Sequence, residues 1–513
     1  RGRLVTPGFN DAHIHFLNGG LALLRVELNG APTLAEAKRR VAERVRAARP
    51  GEWILGRGWD HTLWGGEWPT KKDLDEVAPA NPVFLTRVDG HVSWANSVAL
   101  REAKLTRETR APEGGEILHD SAGEPTGIVK ETAQGLVGRV IPAPTDEQNM
   151  EALERALAEA RRYGITSIQD NSGYRTTRLY RELLKRGRLT VRVSEWQDFS
   201  DTVAELKRQR AEFAAFKDDP LVLRLGALKG VMDGTLGSRT AAMITPYSDD
   251  PSNSGLPRRP AEEVTRMIVE RDAAGFQITL HAIGDRANRM ALDGFDAARQ
   301  SREKNGTQMG TLRVEYTIRT TPPGSSERVV STGILSPRHR IEHAQVVAPT
   351  DFARFRDLGV VASMQPAHAI SDKRWAQARV GEYRVLGAYS WHTMKAHGVP
   401  VAFGTDWPVE PINPYLGLYA AVTRQSAEGA DPAGGWWPQE RLSIEDAIRY
   451  YTTGSAYASF DEREKGQIAA GMLADLVVHT RDLLTVKPEE ILQTETAITV
   501  FNGRVVHEAA ARP

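Results

Sequence analysis

The stretch Gly8-Phe9-Asn10-Asp11-Ala12-His13-Ile14-His15-Phe16 places two histidines one residue apart, behind Val5-Thr6-Pro7. If it ends as a strand, His13 and His15 point to one face, because side chains alternate with period two. Their Cα atoms then lie about 6–7 Å apart, and both imidazoles can converge on one divalent ion. Alone the pattern is weak, since the chain holds 13 histidines. Four more residues strengthen it, each closing a short apolar run: Lys229 in Ala227-Leu228-Lys229-Gly230, His281 in Thr279-Leu280-His281-Ala282, His343 in Arg340-Ile341-Glu342-His343, and Asp406 in Phe403-Gly404-Thr405-Asp406. Each has an ordinary explanation on its own: a hydrogen-bonded core histidine, a lysine reaching out of a strand end, an aspartate in a turn. Together they form a set that would be costly to bury without an ion to satisfy it.

The elements that must position this set are strands alternating with helices. Besides the run ending at Phe16, strands are predicted at Ile165–Gln169, Val191–Trp196, Leu223–Leu228, Gln277–His281, Arg340–His343, Val360–Gln365 and Val401–Gly404. Amphipathic helical patterns lie between them, such as Ala261–Ala274 closed by Gly275, and the pattern that starts at Thr145 and Gln148 and ends at Gly164. Eight strands in βα units predict an α/β protein built on a (β/α)8 TIM barrel, whose chemistry sits at the C-terminal strand ends. A doubly wound open sheet is disfavoured, because no Gly-x-Gly-x-x-Gly follows an early strand. The barrel is expected over residues 7–50 and 145–460, with Thr33-Leu34-Ala35-Glu36 capping its first helix.

Residues 51–144 break the rhythm. Trp53, Trp59, Trp64, Trp68 and Trp94 crowd there among Gly and Pro, which predicts an inserted α+β lobe that is either substrate-facing or pinned by its own tryptophan core. The Thr-, Gly-, Ser- and Pro-rich segment from Asn305 to Ser336 reads as an extended loop or insertion. Short strands near 466–468, 474–479 and 497–506, with an Asn502-Gly503 hairpin signal, predict a small β-sandwich lobe from residues 461–513 and 1–6.

Composition narrows the function classes. Lysine plus arginine equals aspartate plus glutamate at 66 each, so net charge points to no nucleic-acid or anionic-membrane partner. With no cysteine, disulfides and thiolate metal sites are excluded. No apolar run reaches the length of a membrane span, and the N-terminus lacks an apolar signal segment. The expectation is a soluble protein acting on a small molecule, the cytoplasm ahead of the periplasm or secretion, with a homodimer as the oligomer to test. Arg1-Gly2-Arg3-Leu4-Val5 reads as the middle of a strand, as though the chain starts inside a longer one.

The motifs also resemble a known family. Thr6-Pro7-Gly8-Phe9-Asn10-Asp11-Ala12-His13-Ile14-His15, Lys229, His281, Glu342-His343-Ala344 and Gly404-Thr405-Asp406 resemble the metal-dependent amidohydrolase superfamily. Asp233-Gly234-Thr235-Leu236-Gly237-Ser238-Arg239-Thr240-Ala241, His281-Ala282-Ile283-Gly284-Asp285-Arg286-Ala287 and Asp89-Gly90-His91 resemble its amidohydrolase-3 branch, which includes YtcJ-like proteins and N-substituted formamide deformylase. The run from Lys465 to Val477 is similar to a C-terminal pattern of that branch, with Met472 where lysine is usual. Departures are the missing N-terminal β segment and the insertion before Arg340.

The resemblance implies one or two divalent ions, zinc by default for imidazole-rich sites. His13 and His15 would hold the first, His281 and His343 the second. Lys229, carboxylated on its amine, would bridge them. Asp406 would serve as both ligand and proton-transfer group. The activity implied is hydrolysis of a non-peptide carbon–nitrogen bond, in a linear amide such as an N-substituted formamide. Cyclic amides, lactones and deamination are the alternatives within catalysis, and a non-catalytic scaffold of the same fold is the alternative outside it. His91, Arg239, Trp59 and His368 are the candidates for substrate contact.

Overall fold

Eight runs of the chain form the parallel sheet that positions the histidines. The computed structural model describes residues 3–88, 90–305, 311–320, 325–334 and 337–510. Arg1, Gly2, Asp89 and the remainder of the Asn305–Ser336 segment, all part of the expectations above, lie outside the described residues. The barrel strands are Phe9–Ile14, Ile165–Asp170, Arg192–Asp198, Leu223–Val231, Ile278–Ala282, Arg340–His343, Val361–Met364 and Val401–Phe403, first to eighth. They are hydrogen-bonded in that order in one sheet. Registers such as Lys229↔Thr279, His281↔Glu342 and Glu342↔Ser363 bring the strand ends level. The eighth strand meets the first through Asp406 N–H to the His13 carbonyl at 2.7 Å and His15 N–H to the Trp407 carbonyl at 2.9 Å. Leu228, Ile278, Leu280, Ile341, Val361 and Ala402 are fully buried in these strands. Each large aliphatic side chain so buried contributes about 1.5–3 kcal/mol.

All eight strands and the helices Ala261–Ala273 and Asp146–Arg162 fall where the periodicity puts them. Thr145 and Gln148 bond reciprocally at 3.0 and 3.3 Å as a capping box. Gly164 and Gly275 follow those helices with φ of +74° and +80°, in the left-handed region that favours glycine.

The division of the chain differs from the expected one. Residues 19–155 form one compact unit, and residues 1–18 with 156–513 form the other. The helix Leu34–Ala47, expected on the barrel, belongs to the first of these units. Its Ala37 and Val41 pack with Val26, Leu28, Trp59, Leu85 and Trp94 over a six-stranded mixed sheet. The other face of that sheet packs Phe84, Ala95, Leu100, Ile117 and Val129. The alternation of Val83 and Leu85 against Phe84, and of Ile128 against Val129, is what buries both faces. The boundary at residue 50 was misplaced because an amphipathic helix reads alike whichever sheet receives it.

Three smaller corrections concern β structure. The segment after Asn305 is not simply an extended loop: Thr311–Thr320 pairs antiparallel with Ser325–Ile334. Residues 466–468 form a turn region and not a strand. The C-terminal lobe is a single four-stranded antiparallel sheet of Val5–Pro7, Leu476–His479, Thr496–Phe501 and Arg504–Glu508 among the described residues, not a sandwich. Its hairpin turns at Asn502 and Gly503, with φ of +51° and +75°, the geometry for which Asn-Gly is preferred.

Candidate metal centre

The first strand carries His13 fully buried into the barrel, where its Nδ1–H donates to Glu342 Oε2 at 2.7 Å. That bond leaves Nε2 as the lone-pair nitrogen, and Nε2 is buried with no hydrogen-bond partner. A carboxylate behind a histidine fixes the tautomer and raises ligand basicity. Ligand atoms of His13, His343 and Asp406 lie within 4.8 Å of one another. His15 Nε2 is 3.2 Å from Asp406 Oδ1 and His13 Nε2 is 3.5 Å from the same oxygen, itself buried and without a hydrogen-bond partner. The His343 Nδ1–H donates to Gln365 Oε1 at 2.8 Å, leaving its Nε2 lone pair. The His281 ring lies 4.6 Å from that of His343, and its Nε2–H donates to the Gly234 carbonyl at 3.0 Å. Lys229 is buried, with Nζ 5.7 Å from the Trp196 ring centre, and that indole sits 5.2 Å from the His13 ring.

The protonation states suit a cation. Burial pushes His13 down to about 4 and His281 down to about 3, with Lys229 adding to both, and drives His343 well below its ordinary value. The imidazoles are therefore neutral, with lone pairs to offer. Burial works against ionisation of Asp406, but the surrounding histidines outweigh it and hold the carboxyl well below its usual range. Burial lowers the Lys229 amine to about 8, against the upward pull of Glu342 and Asp406. Orphaned buried nitrogen and oxygen atoms, neutral imidazoles and one ionised carboxylate are the donor set a divalent ion requires.

A polar brace one layer deeper holds these groups. Arg340, fully buried, donates to Glu342 Oε1 at 2.8 Å, the Ala12 carbonyl at 2.8 Å and Ser363 Oγ at 2.9 Å, and also to Gln169. Thr279 donates to the same Glu342 oxygen. The brace thus spans the first, second, fifth, sixth and seventh strands. Asp11 ties the first strand to the eighth, accepting from Thr405 Oγ1 at 2.6 Å, Thr405 N at 2.9 Å and His13 N at 3.1 Å. Asp233 ties the loop after the fourth strand to that after the fifth, accepting from Ala242 N, Gly284 N and Ile283 N at 2.8, 2.8 and 3.1 Å. His343, Ala344 and Asp406 carry left-handed backbone, with φ of +74°, +42° and +58°. Such strain concentrates at functional sites. At His343 it also interrupts strict strand alternation, so that consecutive residues Glu342 and His343 both serve one centre.

Sequence reading missed Arg340, Asp11, Asp233, Gln365 and the supporting role of Glu342. A signal existed for two of them: Arg340 and Glu342 are charged residues at i and i+2 of an otherwise apolar strand, which puts both inside the barrel.

The substrate-contact candidates scatter. His368 is buried beside the centre, its Nε2 3.5 Å from Asp406 Oδ2. Arg239 lies on the loop after the fourth strand, paired with Asp249 at 3.0 Å. His91 is an exposed residue of the 19–155 unit, 3.0 Å from Glu131. Trp59 is corrected outright: it is fully buried in that unit, its indole N–H donates to the Leu85 carbonyl at 2.8 Å, and it packs against Trp64, Trp68 and Trp94. No face of it is left for a substrate. Within the barrel unit, a cavity of about 450 Å³ lies beside Lys229, walled by Asn171, Trp196, Asp198, Phe199, Met232 and Arg258 among others.

Comparison with known sequences decides the family: the sequence profile of the amidohydrolase family matches residues 1–507. The chain belongs to the amidohydrolase family. It is similar to the protein LONG AFTER FAR-RED 3 of Arabidopsis thaliana, at 33% identity over 93% of this chain and 78% of that one. It is similar to YtcJ of Bacillus subtilis, at 30% identity over 99% and 89% of the two chains. It is also similar to the N-substituted formamide deformylase of Arthrobacter pascens, at 26% identity over 99% and 89%. Among solved structures, it resembles an uncharacterized metal-dependent hydrolase from Pyrococcus horikoshii, with a TM-score of 0.72 and 30% identity over 95% of this chain and 88% of that one. This amidohydrolase is thus a metal-dependent hydrolase on a barrel. Among its described residues no helix is long and apolar enough to cross a membrane.

Proposed function

We propose that the protein hydrolyses a non-peptide carbon–nitrogen bond in a linear amide, such as an N-substituted formamide. The observation that carries this reading is the ionised Asp406 set among neutral imidazoles, and the likeness to a formamide deformylase supports the substrate class. His13 and His15 would hold one divalent ion and His281 and His343 a second, with zinc the default for such ligands. Bound there, the metal supplies Lewis acidity and a water of lowered pKa. Lys229, whose amine burial lowers to about 8, would as the neutral amine take up carbon dioxide with loss of a proton and offer anionic carbamate oxygens as ligands.

Asp406 performs the proton transfers. Its ionised carboxylate takes a proton as water adds to the amide carbon, then delivers that proton to the nitrogen as the C–N bond breaks. The products are a carboxylic acid and a free amine, so atoms and charge balance. Glu342 keeps His13 in its tautomer, and the Arg340 brace keeps Glu342 ionised.

The test is a screen of N-substituted formamides, longer N-acyl compounds, cyclic amides and lactones with metal-replete protein. Formamide turnover that is abolished by chelation and restored by metal supports the reading. Full activity in a metal-free preparation, or turnover confined to lactones or cyclic amides, overturns it. Lys229→Ala should lower the metal-to-protein ratio by elemental analysis, and an unchanged ratio would sink the bridging carbamate.

A further inference from the structure

His368 stands in the first turn of the helix Pro366–Arg384, just past the seventh strand, with its ring stacked on His343 at 5.7 Å. Its Nδ1 is 3.2 Å from the Gln345 amide. Gln345 is held in turn by Tyr389, whose N–H donates to the Gln345 carbonyl at 2.7 Å and whose hydroxyl is 3.3 Å from its side chain. The same hydroxyl is bound at 2.6 Å to Asp372. The ring therefore cannot turn freely: one nitrogen is pinned from behind by a buried chain of Gln345, Tyr389 and Asp372. The other nitrogen, Nε2, is buried, has no hydrogen-bond partner and faces Asp406 Oδ2 at 3.5 Å.

We infer that His368 is the positioning residue for Asp406, with an N–H at Nε2 directed at Oδ2, and that Oδ1 is therefore the oxygen that carries the transferred proton. The reason is electrostatic. A lone pair at the buried Nε2 would face a carboxylate oxygen 3.5 Å away, whereas an N–H there is attracted to it. The geometry behind the ring agrees: Gln345 turns its amide N–H toward Nδ1 while its Oε1 accepts from the Tyr389 hydroxyl, so Nδ1 is the accepting nitrogen and the proton lies on Nε2. The separation exceeds an ordinary hydrogen bond, and active-site bonds are commonly long before substrate binds. Oδ1 lies on the other side, near His15 and His13 at 3.2 and 3.5 Å. The two oxygens of Asp406 thus have different surroundings: Oδ2 faces the His368 ring, and Oδ1 faces the imidazoles of His15 and His13.

This inference rests on the proposed proton-transfer role of Asp406, so the experiment reads His368 both with and without turnover. Nitrogen-15 spectra of histidine-labelled, metal-replete protein should show His368 Nε2 as a protonated, pyrrole-type nitrogen. A pyridine-type Nε2 overturns the inference whatever substrate is found. His368→Leu should keep the metal content and lower kcat about 10- to 100-fold with little change in KM. His368→Gln, which returns an N–H near the Nε2 position, should recover much of that loss. A rise in KM with unchanged kcat would make His368 a substrate contact and overturn the positioning role. Equal losses in the Leu and Gln variants would also overturn it.

Discussion

At the scale of single residues, Asp406 has the sharpest expectation. Asp406→Asn keeps an oxygen toward the ligand cluster but cannot take up a proton. Metal content should persist while kcat falls at least about 100-fold, and an unchanged kcat on a confirmed substrate would remove it from proton transfer. A second carboxyl expectation lies outside the cluster. Asp170 accepts from Phe16 N at 2.8 Å, Ser172 Oγ at 2.8 Å and Tyr180 OH at 2.5 Å, and it is buried close enough to Glu195 for the two carboxyls to interact electrostatically. With Asp170 taking three donors, Glu195 is the carboxyl of this buried pair that keeps its proton. Burial, then Asp170, raises Glu195 well above its ordinary value. A carboxyl raised in the fold contributes stability that is present below its unfolded value of about 4.5 and is lost as pH rises through the folded value. Glu195→Gln is neutral at every pH and so removes the cost of ionising this buried carboxyl beside Asp170. It should match the parent near pH 4 and melt higher at pH 8–9, the gap growing by about 1.4 kcal/mol per pH unit until the parent's proton is lost. Parallel melting curves across that range would refute the raised ionisation of Glu195.

At the scale of elements, the eighth and first strands are the two ends of the hydrogen-bonded sheet order, and the bonds that join them run through His13, His15 and Asp406. A Cβ on Gly404 would come within 2.5 Å of His13 N and 2.7 Å of Asp11 Oδ1. The backbone atoms cannot yield cheaply, since His13 also receives the Asp406 N–H on its carbonyl. Gly404→Ala should therefore cost about 1–3 kcal/mol and lower metal affinity together, as read by thermal denaturation and metal titration. Loss of stability with metal affinity intact would show that the seam does not position the ligands. The barrel strands were legible in advance because short apolar runs bounded by turns and helices have few alternatives. The pairing of Thr311–Thr320 with Ser325–Ile334 was not: Leu312, Val314, Tyr316 and Ile318 alternate with polar residues, but Ser325–Ile334 lacks a matching alternation to specify a partner and register.

At the scale of the whole molecule, each of the two units has a core of its own. Trp59→Ala, at the centre of the tryptophan cluster of the 19–155 unit, should destabilise that unit by about 3–5 kcal/mol while the barrel's metal-to-protein ratio stays at the parent value. Reduced metal content in protein that remains folded would contradict this independence. The barrel was readable from residue types and spacing, and the family from the resemblance of its motifs. The strands and helices follow from alternation, capping and turn chemistry, which act within a few residues. The structure alone decided that Glu342, 329 positions from His13, is its partner. It alone decided that Arg340, Glu342 and Thr279 together brace five strands, that Trp59 is core and not contact, and that His368 stands behind Asp406. Those outcomes depend on which distant segments folding brings side by side, and local sequence carries no record of that juxtaposition.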